Sequence, residues 1–72
     1  MIIGARYTNS MYYEITADGE GQGKFDRRNK DQFIKDFRND YHEIVVAYYN
    51  SEHINVGAEI YIDGKLIYQY RE

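Results

Sequence analysis

The 72-residue chain contains no cysteine, no proline and no tryptophan. Without cysteine there is neither a disulfide staple nor a thiolate metal site, so a domain this small rests on its hydrophobic core or gains stability by docking or self-association. Cysteine-free composition is ordinary in the cytosol and unusual in a tiny secreted domain, which predicts a cytoplasmic protein. No apolar run approaches the roughly 20 residues of a membrane span, so no membrane insertion is expected. The opening run Met1-Ile2-Ile3-Gly4-Ala5-Arg6 lacks a basic leader and is too short for a signal peptide, and Ile2 in place of glycine excludes myristoylation.

Net charge is also small, at −3, but it is unevenly placed. Residues 24–38 hold six of the nine basic side chains against three acids, leaving three bases and nine acids elsewhere. A basic end on an acidic body is expected, a feature that bears on association rather than on fold.

Tyrosine is abundant. There are nine, and Tyr12, Tyr13, Tyr48, Tyr49, Tyr61, Tyr68 and Tyr70 fall in stretches that read as strand. A tyrosine ring buries a large apolar surface yet keeps a hydroxyl that needs water or a partner. One small domain cannot hide nine of them, and clustered exposed aromatics mark contact surfaces.

The pattern along the chain predicts one α+β domain over residues 1–72: an antiparallel sheet of four or five strands with one helix on one face, in the order β(β)–α–β–β–β. Residues 11–17 alternate as a strand, and residues 2–7 are a candidate strand before them. The glycine-rich stretch 18–24 reads as a loop or wide turn. A helix is expected over about 29–40, capped by Asn29 with Gln32 completing a capping box. Its apolar stripe is Phe33, Ile34, Phe37 and Tyr41. Residues 42–49, apolar on both faces, read as a central strand. Residues 54–62 alternate, with Ile54, Val56, Ala58, Ile60 and Ile62 on the face expected to be buried, and Glu59 and Tyr61 on the other. Asp63-Gly64 predicts a two-residue hairpin turn of type I′, returning residues 65–71 antiparallel with Ile62 opposite Lys65. Tyr61, Leu66, Tyr68 and Tyr70 then share the face away from the helix. A bulge after Gly64 would instead turn Leu66, Tyr68 and Tyr70 inward. The expected core is Ile15, Phe33, Phe37, Ile44, Val46 and Ile60.

Catalytic and metal chemistry find little footing. A phosphate loop ending at Gly23-Lys24 requires glycine at 18 and Ser or Thr at 25, where Asp18 and Phe25 stand. A calcium loop starting at Asp18 meets Asn29 where a bidentate glutamate is needed. The two imidazoles, His42 and His53, have no spacing suited to a transition metal, and neither Ser10 nor Ser51 is paired with a histidine on a rigid element. No enzyme, metal or cofactor is expected.

Binding remains. A protein partner held by Tyr12, Glu14, Glu59, Tyr61, Leu66, Tyr68 and Tyr70 on the uncovered sheet face is the leading reading, since tyrosine anchors interfaces. The terminal strand 65–71, at a sheet edge, admits a second copy of the chain as well. The alternative is a single-stranded nucleic acid, with bases stacked on the tyrosines and phosphates held by Arg27, Arg28 and Lys30; the acidic body opposes it. In size, tyrosine content, acidic balance and lack of cysteine the chain resembles small phage- or plasmid-encoded antagonists such as anti-CRISPR proteins. That resemblance is compositional and implies a non-catalytic protein that blocks its partner.

Overall fold

The computed structural model describes residues 11–72; the candidate strand over residues 2–7 lies outside them. The elements are β1 (Tyr12–Ala17), β2 (Glu20–Phe25), α1 (Arg27–Phe37), β3 (Glu43–Tyr49), β4 (Asn55–Ile62) and β5 (Lys65–Arg71). All neighbours pair antiparallel in one five-stranded sheet of order β2-β1-β3-β4-β5. The α+β class and the ββαβββ order agree with the sequence, but the described strand that completes this order is β2, in the stretch expected to be a loop.

Two Asp-Gly dipeptides make the hairpins. Asp18-Gly19 and Asp63-Gly64 both have positive φ at both positions (49° and 84°, 50° and 84°), the signature of the type I′ turn whose twist matches that of paired strands. The first converts the expected glycine-rich loop into the β1–β2 hairpin. Both turns bracket the start of β3. Asp18 N–H donates to the Glu43 carbonyl and Asp18 Oδ1 accepts from the Glu43 N–H, while Asp63 N–H donates to the His42 carbonyl.

The helix is capped three residues earlier than Asn29 suggests. Asp26 is the N-cap, its Oδ1 accepting from the Asn29 N–H at 2.7 Å, which satisfies one donor that the first turn leaves unpaired. Gln32 bonds Asp36 one turn on instead of closing a capping box. The helix ends at Phe37, before Asn39 and Asp40, and Arg38 ties its end to the second hairpin by donating from Nε to the Gly64 carbonyl at 2.8 Å.

α1 lies chiefly over β1 and β2. Directly opposed residues share a face, so the register defines the rows beneath it: Phe25–Tyr13–Tyr48–Gly57–Arg71, Gly23–Ile15–Val46–Glu59–Gln69, and Ala17–Ile44–Tyr61–Leu66. Ile15, Ile44 and Val46 are fully buried, and Ile34 caps them from the helix. Gly57 is required by packing: a Cβ there would stand 2.7 Å from the Tyr48 ring and 2.6 Å from the Tyr70 carbonyl. Phe33 is only partly buried, and Phe37 is 39% exposed at the rim, against the expectation that both fill the core.

The largest correction concerns β4. Glu59 and Tyr61 face the helix side and are buried, whereas Ala58, Ile60 and Ile62 lie on the face that no described element covers, the uncovered face. A strand with period 2 has two distinct faces, but alternation does not say which one the helix covers. Here the polar set is inside because its groups satisfy one another. Tyr48 and Tyr61 donate to the two Glu59 carboxylate oxygens, and Lys30 reaches the same carboxylate from the helix at 3.5 Å. No buried side-chain polar atom among the described residues lacks a partner. A bulge at Val56 separates Ile54 from the rest of the supposed aliphatic stripe.

Candidate functional site: the uncovered sheet face

The hairpin after β4 begins as the type I′ turn dictates, with Ile62 opposite Lys65 and Tyr61 opposite Leu66. A bulge then places Ile67 as an extra residue, so that Tyr68 stands opposite Ile60 and Tyr70 opposite Ala58. One extra residue flips the rest of a strand. Tyr68 and Tyr70 therefore leave the face of Tyr61 and Leu66 and join the uncovered face. The expected surface grouping holds for Tyr12, Glu14, Tyr68 and Tyr70. Tyr61, Glu59 and Leu66 belong to the other side, Leu66 at its exposed margin.

Four rows cross the uncovered face. They are Tyr12–Tyr49–Asn55, then Lys24–Glu14–Ala47–Ala58–Tyr70, then Gly21–Thr16–Val45–Ile60–Tyr68, and last Glu43–Ile62–Lys65. The small side chains Ala47, Ala58 and Val45 occupy the middle. Aromatic pairs stand on two sides of this floor. Tyr12 and Tyr49 stack with centroids 5.1 Å apart and planes 13° from parallel; Tyr68 and Tyr70 pack at 5.9 Å and 59°. The result is a shallow apolar trough between tyrosine walls.

Polar contacts fix the walls. The Tyr12 hydroxyl lies 2.9 Å from His53 Nδ1, and Lys24 Nζ sits 5.0 Å above the Tyr12 ring, a cation–π contact. The Tyr70 hydroxyl donates to Asn55 Oδ1 at 3.1 Å, and Asn55 Nδ2 donates in turn to the Tyr48 and Gly57 carbonyls. Tyr68 remains 49% exposed and Ile67 60%.

Sequence reasoning missed Ala47, Ala58, Val45, Ile60 and Tyr49 as members of this surface. Alternation along β3 and β4 separates their two faces but does not say which one the helix covers. The basic residues of the nucleic-acid reading are not brought to the tyrosines. Arg27, Arg28 and Lys30 are in the first turn of α1, on the opposite side of the sheet, and Lys30 is buried against Asp31 and Glu59.

The two edges differ as well. β2 carries two glycines and a bulge at Gln22, features that blunt an edge. Every residue of β5 is exposed, among them Leu66, Ile67, Tyr68 and Tyr70.

Among the described residues no helix is long and apolar enough to cross a membrane. Compared with protein-family models, with curated proteins and with solved structures, the chain matches none.

Proposed function

We propose that this protein is a non-catalytic interaction module that binds a protein partner through the uncovered sheet face. One observation carries the reading: a floor of Val45, Ala47 and Ala58 between the pairs Tyr12–Tyr49 and Tyr68–Tyr70, on a sheet whose only described helix lies on the other side. Exposed contiguous apolar surface in a small domain marks contact, and an apolar floor inside an aromatic rim is the anatomy of an interface core. Glu14 and Lys24 at the β1–β2 side supply the polar margin that orients a partner. Blocking the partner, as the compositional resemblance to phage antagonists implies, is the use we assign to such binding, and the lack of cysteine suits work in the reducing cytoplasm.

The exposed β5 edge supports a second reading of the same kind, a second copy of this chain pairing strand to strand. Antiparallel pairing would bring Lys65 of one copy toward Glu72 of the other, a favourable charge match that parallel pairing lacks. The nucleic-acid alternative draws less support, because its tyrosines and its arginines stand on opposite sides of the sheet.

The experiment is affinity capture with wild type beside Ala58→Arg and Tyr68→Ser/Tyr70→Ser. Both changes lie on the exposed side, so circular dichroism should report the wild-type fold. A protein retained by wild type and released by both variants supports the reading. Equal retention by all three contradicts it.

A further inference from the structure

Beyond its acidic cap, Asp26, the first turn of α1 runs against a local electrostatic rule. Arg27, Arg28 and Lys30 stand there with no acidic residue inside the turn, although the positive end of the helix dipole favours acids. Rules broken locally are expected where a site needs them. Arg27 and Lys30, three apart, are on one side of the helix, and both line a polar cleft of about 240 Å³. The cleft lies between α1 and β5, where the helix leaves the β4–β5 part of its face uncovered. Tyr13, Tyr48 and Glu59 of the sheet line it, and Gln69 and Arg71 of β5 complete it.

The charges in this cleft are unequally matched. Its two carboxylates, Asp31 and Glu59, are both on Lys30 Nζ, at 2.7 and 3.5 Å. Neither guanidinium has a carboxylate partner among the described residues, and residues 1–10 contain no acidic side chain to supply one. Arg27 lines the cleft beside Tyr13, and among the described residues Arg71 Nη2 reaches the thioether of Met11, at 3.3 Å. Two guanidinium forks without a carboxylate partner, one from the helix and one from the edge strand, thus line one polar recess in a chain that is otherwise acidic. Guanidinium groups in pairs are suited to the planar or tetrahedral oxygens of an oxyanion.

We propose that the cleft between α1 and β5 is a binding site for a compact oxyanion, a carboxylate or a phosphate group, held by Arg27 and Arg71 with the Gln69 amide. Its volume is below the roughly 300 Å³ at which pockets for drug-sized molecules begin, which suits a small anionic group rather than an extended ligand. The site is separated by the sheet from the tyrosine trough and does not rest on the partner-binding reading.

The test is an amide chemical-shift titration of the full chain with inorganic phosphate and, separately, citrate, at ionic strength held constant with chloride. At least one anion should give saturable shifts centred on Arg27, Gln69 and Arg71. Arg27→Ala and Arg71→Ala should each weaken binding about tenfold, the loss of roughly one charge-assisted hydrogen bond, while Arg28→Ala leaves it unchanged. Saturation by citrate alone assigns a carboxylate, by phosphate alone a phosphoryl group, and by both a general oxyanion site. Should either alanine variant lose its fold, Arg27→Lys or Arg71→Lys serves in its place, keeping charge and removing the fork. Shifts that stay linear for both anions, or weakening by Arg28→Ala equal to that by Arg27→Ala, would overturn the proposal.

Discussion

The Tyr61 hydroxyl donates to Glu59 Oε1 at 2.8 Å, two residues away along β4 and on the helix-covered face. Both residues are nearly inaccessible, Glu59 at 5% and Tyr61 at 8%. A carboxylate this deep costs several kcal/mol of lost hydration unless its oxygens are occupied. Tyr61, Tyr48 and Lys30 occupy them.

Removing the carboxylate should therefore unfold rather than merely weaken. Glu59→Ala strands two buried phenols and leaves the Lys30 ammonium only the exposed Asp31, and is expected to cost about 3–5 kcal/mol. Glu59→Lys, which at a surface position would test partner recognition, should here abolish the fold by setting two cations together. Urea denaturation of Glu59→Ala, Glu59→Gln and wild type checks this; a loss below about 1 kcal/mol for Glu59→Ala would place the cluster outside the stabilising core.

The same cluster sets an alkaline limit. Burial, and then the hydrogen bond to Glu59, push the Tyr48 and Tyr61 phenols well above the ordinary tyrosine value. A group whose folded pKa is raised contributes stability that is complete below its unfolded pKa, about 10 for tyrosine, and is lost as pH rises beyond it. Stability should therefore decline above pH of about 10. Tyr61→Phe, which cannot ionise, should show a shallower decline than wild type in melting temperatures measured across that range.

His42 and Asp63 form an exposed pair, Nδ1 to Oδ1 at 2.8 Å, and this hydrogen bond raises the His42 pKa. The pair contributes below the unfolded imidazole value of about 6.5 and is lost as pH rises through the folded one. Asp63→Asn keeps the type I′ turn, since Asn-Gly suits it equally, and removes the charge. The His42 titration midpoint, followed by NMR, should move down in that variant; an unchanged midpoint would remove Asp63 as its cause.

The order of elements was legible because each left a local mark: Asp63-Gly64 for a turn, Phe33, Ile34 and Phe37 for a helical stripe, residues 42–49 for a central strand. β2 was not, because Glu20, Gly21, Gln22 and Gly23 are poor strand formers. Pairing with β1 and the Asp18-Gly19 turn override that weakness. Nor was the sidedness of β4 legible. Hydrophobicity alone assigns Ile60 and Ile62 inward, and only the meeting of Lys30, Tyr48 and Glu59 in space reverses it. Tyr68 and Tyr70 were expected on the uncovered face and are there, but through a bulge at Ile67 that no residue type announces.

Tyr68 and Tyr70 should be nearly dispensable for folding. The double serine variant is expected to melt within a few degrees of wild type, since exposed substitutions typically change stability by about 0.5 kcal/mol or less. Tyr61→Ser, by contrast, should cost several times more, because it empties a buried site. Similar losses in both would mean that the tyrosine wall supports the fold.

The most direct test of the uncovered face as a contact surface is site-specific photo-crosslinking in cells that produce the protein. A photoreactive phenylalanine analogue is placed at Tyr68, or at Lys35 on the exposed side of α1 as control. The account predicts a discrete protein adduct from position 68 that disappears when Ala58→Arg is added, and none from position 35. Adducts of equal yield from both positions, or from position 35 alone, would contradict it.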